Sequence, residues 1–171
     1  VTVNLVSGTA SGAGVGTDTF VNIEGVFGSA NNDTLTGGNV ANGATLADGL
    51  SEIFRGEGGN DLIDGGVGYD RVDYTSSITG VVVTLNDTLD GTANDGLGGT
   101  DTLRNIEGVR GSAFADALTG SDSAAFESFE GREGNDSIDG KGGEDRADYK
   151  WSAGGVVVNL TTGTASDGFG G

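Results

Sequence analysis

Apolar side chains stand along this chain one or two at a time, and the longest aliphatic run is Val81-Val82-Val83. Gly- and Asp-rich stretches separate them, and the alternation has a nine-residue period, clearest from Gly65 to Asp73. The unit Gly56 to Asp64 directly precedes it, and Gly131 to Asp139 and Gly140 to Asp148 match both. Gly holds the first and fourth places of each unit, Asp the sixth, and an aliphatic residue or Ala the eighth. Degenerate copies begin at Ala13, Gly28, Gly96 and Gly111. Six Gly-rich residues ending in Asp suit a turn, and three residues with one apolar centre suit a very short strand. Such strands are stable only when stacked. Parallel stacking would line a narrow core with Phe20, Leu35, Ile63, Val72, Leu103, Leu118, Ile138 and Ala147. Helices are not expected, because Gly recurs every few residues and costs about 1 kcal/mol relative to Ala at an interior helical position.

A longer repeat encloses the short one. Val81-Val82-Val83-Thr84-Leu85 returns as Val156-Val157-Val158-Asn159-Leu160 and, more loosely, as Val1-Thr2-Val3-Asn4-Leu5. Thr17-Asp18-Thr19-Phe20 and Asn22-Ile23-Glu24-Gly25-Val26 likewise return as Thr100-Asp101-Thr102-Leu103 and Asn105-Ile106-Glu107-Gly108-Val109. The reading is a first long repeat over residues 1–80, with turns near 13–18, 28–33 and 56–73 and a loop insertion at 38–53. The second covers 81–155, with turns near 96–101, 111–116 and 131–148. Residues 156–171 begin a third, expected to continue with a phrase like Thr-Asp-Thr-Leu.

Composition sharpens this picture. The strong core formers are 16 Val, 11 Leu, 6 Ile and 7 Phe, so the core is thin. The chain holds 35 Gly and no Pro, Cys, Met or His, which excludes disulfide, thiolate and imidazole chemistry and collagen. Eight basic residues face 26 acidic ones, a net charge of −18 that opposes compaction and calls for a cation. Scarce, scattered Lys and Arg disfavour nucleic acid as a partner, and no apolar run approaches the roughly 20 residues of a membrane span. No secretory leader is recognisable in the sequence.

The nine-residue unit resembles the hemolysin-type RTX repeat of secreted bacterial proteins. That resemblance implies an all-β fold, a parallel β-roll or β-solenoid, with Ca²⁺ held between successive turns by backbone carbonyls and the sixth-place Asp. It implies ligation by Asp61, Asp70, Asp136 and Asp145, with carbonyls from around Gly59, Gly66, Gly68, Gly134 and Gly143. The degenerate turns add Asp18, Asp33, Asp101 and Asp116. Independently of the family, a hard cation seeks six to eight oxygens, and Asp outnumbers Glu 18 to 8, as short carboxylates on tight turns require. Glu57, Arg132 and Lys141 depart from the pattern at the second place, and Ser112-Ala113-Phe114 replaces the central glycines of another turn.

Ninth-place Asp64, Asp73, Asp139 and Asp148 are expected on solvated strand faces, and Arg71 and Arg146 as surface charge partners. Asp48, Asp87, Asp90 and Asp122 are expected to be solvated turn residues. Tyr74, Tyr149 and Trp151 are expected at corresponding strand ends, as packing or solenoid-edge residues and not as a ligand platform. No EF-hand or phosphate loop is complete. The resemblance implies a non-enzymatic calcium-binding module of a secreted or cell-surface protein of a Gram-negative bacterium, exported by type I secretion. Its partners would be calcium ions and neighbouring copies or repeats of a longer array. Two alternatives stay open: an accessory domain of a secreted protease, lipase or epimerase, and a polysaccharide-active enzyme using paired carboxylates.

Overall fold

The computed structural model describes residues 1–14, 16–38 and 52–169, and all regular structure among them is β. The expected insertion at 38–53, with Asp48, lies almost wholly outside the described residues. The first strands are β1 Thr2–Asn4, β2 Thr9–Gly12, β3 Gly16–Thr19, β4 Gly25–Phe27, β5 Thr34–Thr36, β6 Ile53–Arg55, β7 Leu62–Asp64 and β8 Arg71–Asp73. The same order then returns as β9 Val82–Thr84, β10 Gly91–Asn94, β11 Thr100–Arg104, β12 Gly108–Arg110, β13 Ala117–Thr119, β14 Ser128–Glu130, β15 Ser137–Asp139 and β16 Arg146–Ala147. A hairpin follows, β17 Val157–Asn159 and β18 Thr164–Ser166.

Strands β4, β6, β8, β12, β14 and β16 form one six-stranded sheet in which every pairing is parallel. The facing ten-stranded sheet runs β15-β13-β9-β10-β11-β7-β5-β1-β2-β3. From β4 to β8 and from β11 to β16 the chain alternates between the two sheets, and each new strand pairs with the one before the last except β13, which pairs with β9 because β11 lies beside β7 and β10. The expectation of purely parallel stacking fails at three places among the described residues, one of them the antiparallel β17–β18 pair. The segments β1–β2–β3 and β9–β10–β11 are antiparallel meanders inside the larger sheet. Gly8 takes positive φ in the β1–β2 reversal and Gly96 in the β10–β11 reversal.

One residue per strand makes the core. Leu35, Phe54, Ile63, Val72, Val83, Leu103, Val109, Leu118 and Phe129 are strand centres and almost wholly buried. Parallel register stacks like on like, as Leu35 on Ile63 on Leu103 and Phe54 on Val72 on Val109. Phe20 and Ile138 of the expected core set are half-buried and packed against this column, whereas Ala147 is exposed at the end of the smaller sheet.

Candidate functional site

An acidic residue precedes the first paired residue of nearly every inward-stacking strand, and register aligns these acids into two columns. Along the larger sheet the column is Asp33, Asp61 and Asp101, then Asp116 and Asp136, with Val1 and Val81 at the ends. The backbone makes this alignment: Leu62 N–H donates to Asp33 C=O (2.9 Å), Thr102 N–H to Asp61 C=O (2.7 Å) and Ser137 N–H to Asp116 C=O (2.9 Å). The side chains repeat it one step out. Asp61 Oδ1 accepts the N–H of Asp33 (2.8 Å), Asp101 Oδ1 that of Asp61 (3.1 Å), and Asp136 Oδ1 that of Asp116 (3.0 Å). Asp116 Oδ1 accepts from Val81 N–H (2.8 Å), and Asp33 pairs with the Val1 ammonium.

The second column, along the smaller sheet, is Glu24, Glu52, Asp70, Glu107, Glu127 and Asp145. Arg71 N–H donates to Glu52 C=O (3.0 Å), Gly108 N–H to Asp70 C=O (2.9 Å), and Arg146 N–H to Glu127 C=O (3.0 Å). Glu107 Oε2 accepts from Asp70 N–H (3.0 Å), and Asp145 Oδ1 from Glu127 N–H (3.2 Å). Of these six, sequence reading singled out only Asp70 and Asp145. The missed glutamates carried a signal, acid–any–apolar, as in Glu52-Ile53-Phe54 and Glu127-Ser128-Phe129. Their longer side chains reach a neighbouring turn: both Glu52 oxygens accept from Gly38 N–H (2.8 and 2.9 Å), and both Glu127 oxygens from Ser121 N–H (3.2 and 3.0 Å).

The turns explain the glycine pattern. The first-place glycine lies against the carboxylate five residues on, so a Cβ on Gly56, Gly111 or Gly131 would collide with Asp61, Asp116 or Asp136. Fourth-place Gly59, Gly68, Gly134 and Gly143 have φ of 116°, 152°, 118° and 107°, a region that side chains disfavour. The second place is left-handed too. Gly66 has φ 85° there, and the departures Glu57, Arg132 and Lys141 adopt 66°, 75° and 66°, so the turn survives each substitution.

Burial sets the electrostatics. Asp33, Asp61, Asp70, Asp101 and Asp116 are buried, Asp136 is half-buried, and Asp18 and Asp145 are exposed at opposite ends of the fold. Desolvation pushes Asp61 and Asp136 up to about 6 and Asp70 and Asp101 up to about 7, helped by neighbouring acids. Burial also raises Glu52, Glu107 and Asp116. Asp61 Oδ2 and both oxygens of Asp70 are sealed from solvent without a hydrogen-bond partner. So is Oδ2 of Asp95, which sequence reading passed over and whose Oδ1 accepts the N–H groups of Leu97, Gly98 and Gly99 (2.8, 2.9 and 2.8 Å). Tyr74, wholly buried, donates its hydroxyl to Asp101 Oδ2 (3.1 Å). Among the described residues no three acidic side chains converge as a ready cation cage.

Two surface expectations are corrected. Asp73 is buried, because Arg55 (3.1 Å) and Arg110 (3.5 Å) approach it across neighbouring strands of the smaller sheet. Burial alone would raise its pKa, but hydrogen bonds from Thr75 and these two cations hold it below the usual carboxylate range. Arg71 is buried as well, its stem covered by Gly108 of the adjacent strand. Asp139 is exposed, while Asp64 and Asp148 are half-buried. Arg146 is exposed, with Asp148 as its partner (3.4 Å).

Among the described residues, no helix is long and apolar enough to cross a membrane. Comparison with protein-family models, with curated proteins and with solved structures finds no match to this chain.

Proposed function

We propose that the chain is a calcium-binding structural module of the RTX type, a β-roll or β-solenoid segment of a secreted or cell-surface protein of a Gram-negative bacterium. The observation that carries this reading is the set of buried carboxylate oxygens on Asp61 and Asp70 that no hydrogen bond satisfies. A buried, unpaired charge is expensive and calls for a counter-ion or a proton. Each belongs to a turn with positive-φ glycines, whose backbone carbonyls would be the further hard oxygen donors.

The fit is to a carbonyl-rich site completed by one or two carboxylates, since the acids lie in columns and do not form a three-acid cage. Asp61 and Asp136 with the Gly59 and Gly134 turns would hold ions on one edge, and Asp70 with the Gly66 and Gly68 turn on the other. Asp18 and Asp145, exposed at the ends, would be the weaker sites, and Asp33 and Asp116 already spend both oxygens on hydrogen bonds. Calcium supplies positive charge between adjacent passages of a chain carrying −18, so folding and rigidity follow its concentration. The test is a Ca²⁺ titration followed by circular dichroism and calorimetry. Cooperative gain of β-structure in roughly the 10⁻⁴ to 10⁻³ M range is expected, with Mg²⁺ at equal ionic strength far weaker. A β-rich spectrum in excess chelator that calcium leaves unchanged would refute it.

A further inference from the structure

Sixth-place Asp101, in the turn that leads into β11, has no carboxylate oxygen to spare: Oδ1 accepts the Asp61 N–H (3.1 Å) and Oδ2 the Tyr74 hydroxyl (3.1 Å). Asp95, at the start of the same turn, is in the opposite condition. Its Oδ1 accepts the N–H groups of Leu97, Gly98 and Gly99, and its own N–H donates to Gly99 C=O (3.3 Å), which closes the loop. Its Oδ2 is fully buried, and among the described residues no hydrogen bond or basic side chain reaches it. The loop lies directly against the turn that leads into β7. Thr100 N–H donates to Asn60 Oδ1 (2.8 Å), and a Cβ on Gly99 would strike both the Gly59 carbonyl oxygen and Asp95 Oδ2. Those two oxygens therefore face one point between the turns. Desolvation raises Asp61 and Asp101, and the nearby charge of Asp95 adds to it.

We infer that Asp95, in place of Asp101, supplies the carboxylate of a Ca²⁺ site between the turns at 56–61 and 95–101, with the Gly59 carbonyl as a second ligand. This rests on the calcium reading above and assigns a ligand that the nine-residue pattern does not contain. A carboxylate oxygen sealed from water is costly unless a cation meets it, and a carbonyl aimed at the same point is the kind of hard oxygen that Ca²⁺ takes. The arrangement recurs. Asp167 holds the same place in Thr164-Ala165-Ser166-Asp167-Gly168 as Asp95 in Thr92-Ala93-Asn94-Asp95-Gly96. It is buried too, and its Oδ1 accepts the Phe169 N–H as Asp95 Oδ1 accepts that of Leu97 (2.8 Å each). Its charge acts on Asp136 and Tyr149 as that of Asp95 acts on Asp61 and Tyr74. In the first long repeat Gly12 holds this place, so no such ligand exists beside Asp18.

The test counts Ca²⁺ bound per chain by equilibrium dialysis, at the free calcium that just saturates the parent, with circular dichroism confirming that each variant is folded. Asp95→Asn keeps Oδ1 and its three hydrogen bonds, loses only the buried anionic oxygen, and should bind one ion fewer. Asp101→Asn should keep the parent's count, and so should Asp87→Asn, which removes the same charge at an exposed loop position. A long-wavelength anomalous map of the parent grown in Ca²⁺ decides the same point without any variant: a peak is expected about 2.3–2.6 Å from Asp95 Oδ2. An unchanged count for Asp95→Asn, loss of an ion from Asp101→Asn instead, or a map with no peak at Asp95 overturns this inference alone when the parent binds calcium at its other turns. A parent that binds no Ca²⁺ overturns it together with the calcium reading.

Discussion

Replacing Asp70 by Asn should reverse the sign of its effect between calcium-free and calcium-loaded protein. Asp70 is fully buried, neither carboxylate oxygen has a partner, and Glu52 and Glu107 add repulsion to the desolvation that lifts it to about 7. The rise from 3.8 is about three pH units, and at about 1.4 kcal/mol per unit that sets a ceiling of ~4 kcal/mol on the cost of the charged form. Solvent screening in so thin a fold cuts this to roughly 2 kcal/mol. Asn removes the charge and offers an amide to the neighbouring glutamates. In chelator at pH 8 the variant should therefore be more stable by roughly 2 kcal/mol, and below about pH 4, where Asp70 is neutral in the folded and unfolded states alike, close to the parent. With calcium the order should invert, because the variant would lack the proposed ligand and need more Ca²⁺ to fold. The assay is urea unfolding by circular dichroism, with trimethylamine N-oxide added equally to keep the calcium-free folded state populated. Asp87→Asn, at an exposed loop position, controls for net charge. Loss of stability in chelator at pH 8, equal to the loss in calcium, would show that the Asp70 carboxylate serves a bond of its own and would refute the reasoning.

The calcium-free protein should be more stable in mild acid than at neutral pH. The folded pKa values of Asp61, Asp70, Asp101 and Asp136 are raised, so the folded state holds more protons and the protonated carboxyls stabilise it. That contribution is complete below about pH 4 and disappears as pH rises through about 6 to 7; urea midpoints that climb over this window in chelator would contradict it. Gly56→Ala should cost about 1–3 kcal/mol, since the new methyl collides with Asp61, while Gly25→Ala, with open space at its Cβ, should lie within about 0.5 kcal/mol of the parent. Similar thermal shifts for both would dissociate the first-place glycine from the carboxylate.

The nine-residue period made the strands at Leu62–Asp64, Arg71–Asp73, Ala117–Thr119 and Ser137–Asp139 legible, because Gly turns and a single apolar centre leave few other ways to bury that centre. The strands around Phe54, Val109 and Phe129 were hidden, since no glycine unit precedes them at the expected spacing. For the same reason the smaller sheet's acids were passed over where they are Glu, as at Glu52, Glu107 and Glu127. The meanders were missed because Val81-Val82-Val83 reads equally as a parallel or an antiparallel strand, and only its pairing with Ala93 on one side and Leu118 on the other decides. Burial of Asp73 depended on Arg55 and Arg110, far apart in sequence and joined only by register.

The most direct test of calcium between adjacent passages is a crystal structure grown in Ca²⁺, with anomalous differences collected at long wavelength. Anomalous peaks are predicted about 2.3–2.6 Å from Asp61 Oδ2 and from an Asp70 oxygen, with carbonyls of the neighbouring glycine turns completing each shell. A map in which both carboxylates stay without a metal, or in which calcium occupies only exposed acids such as Asp87 or Asp139, would contradict the account.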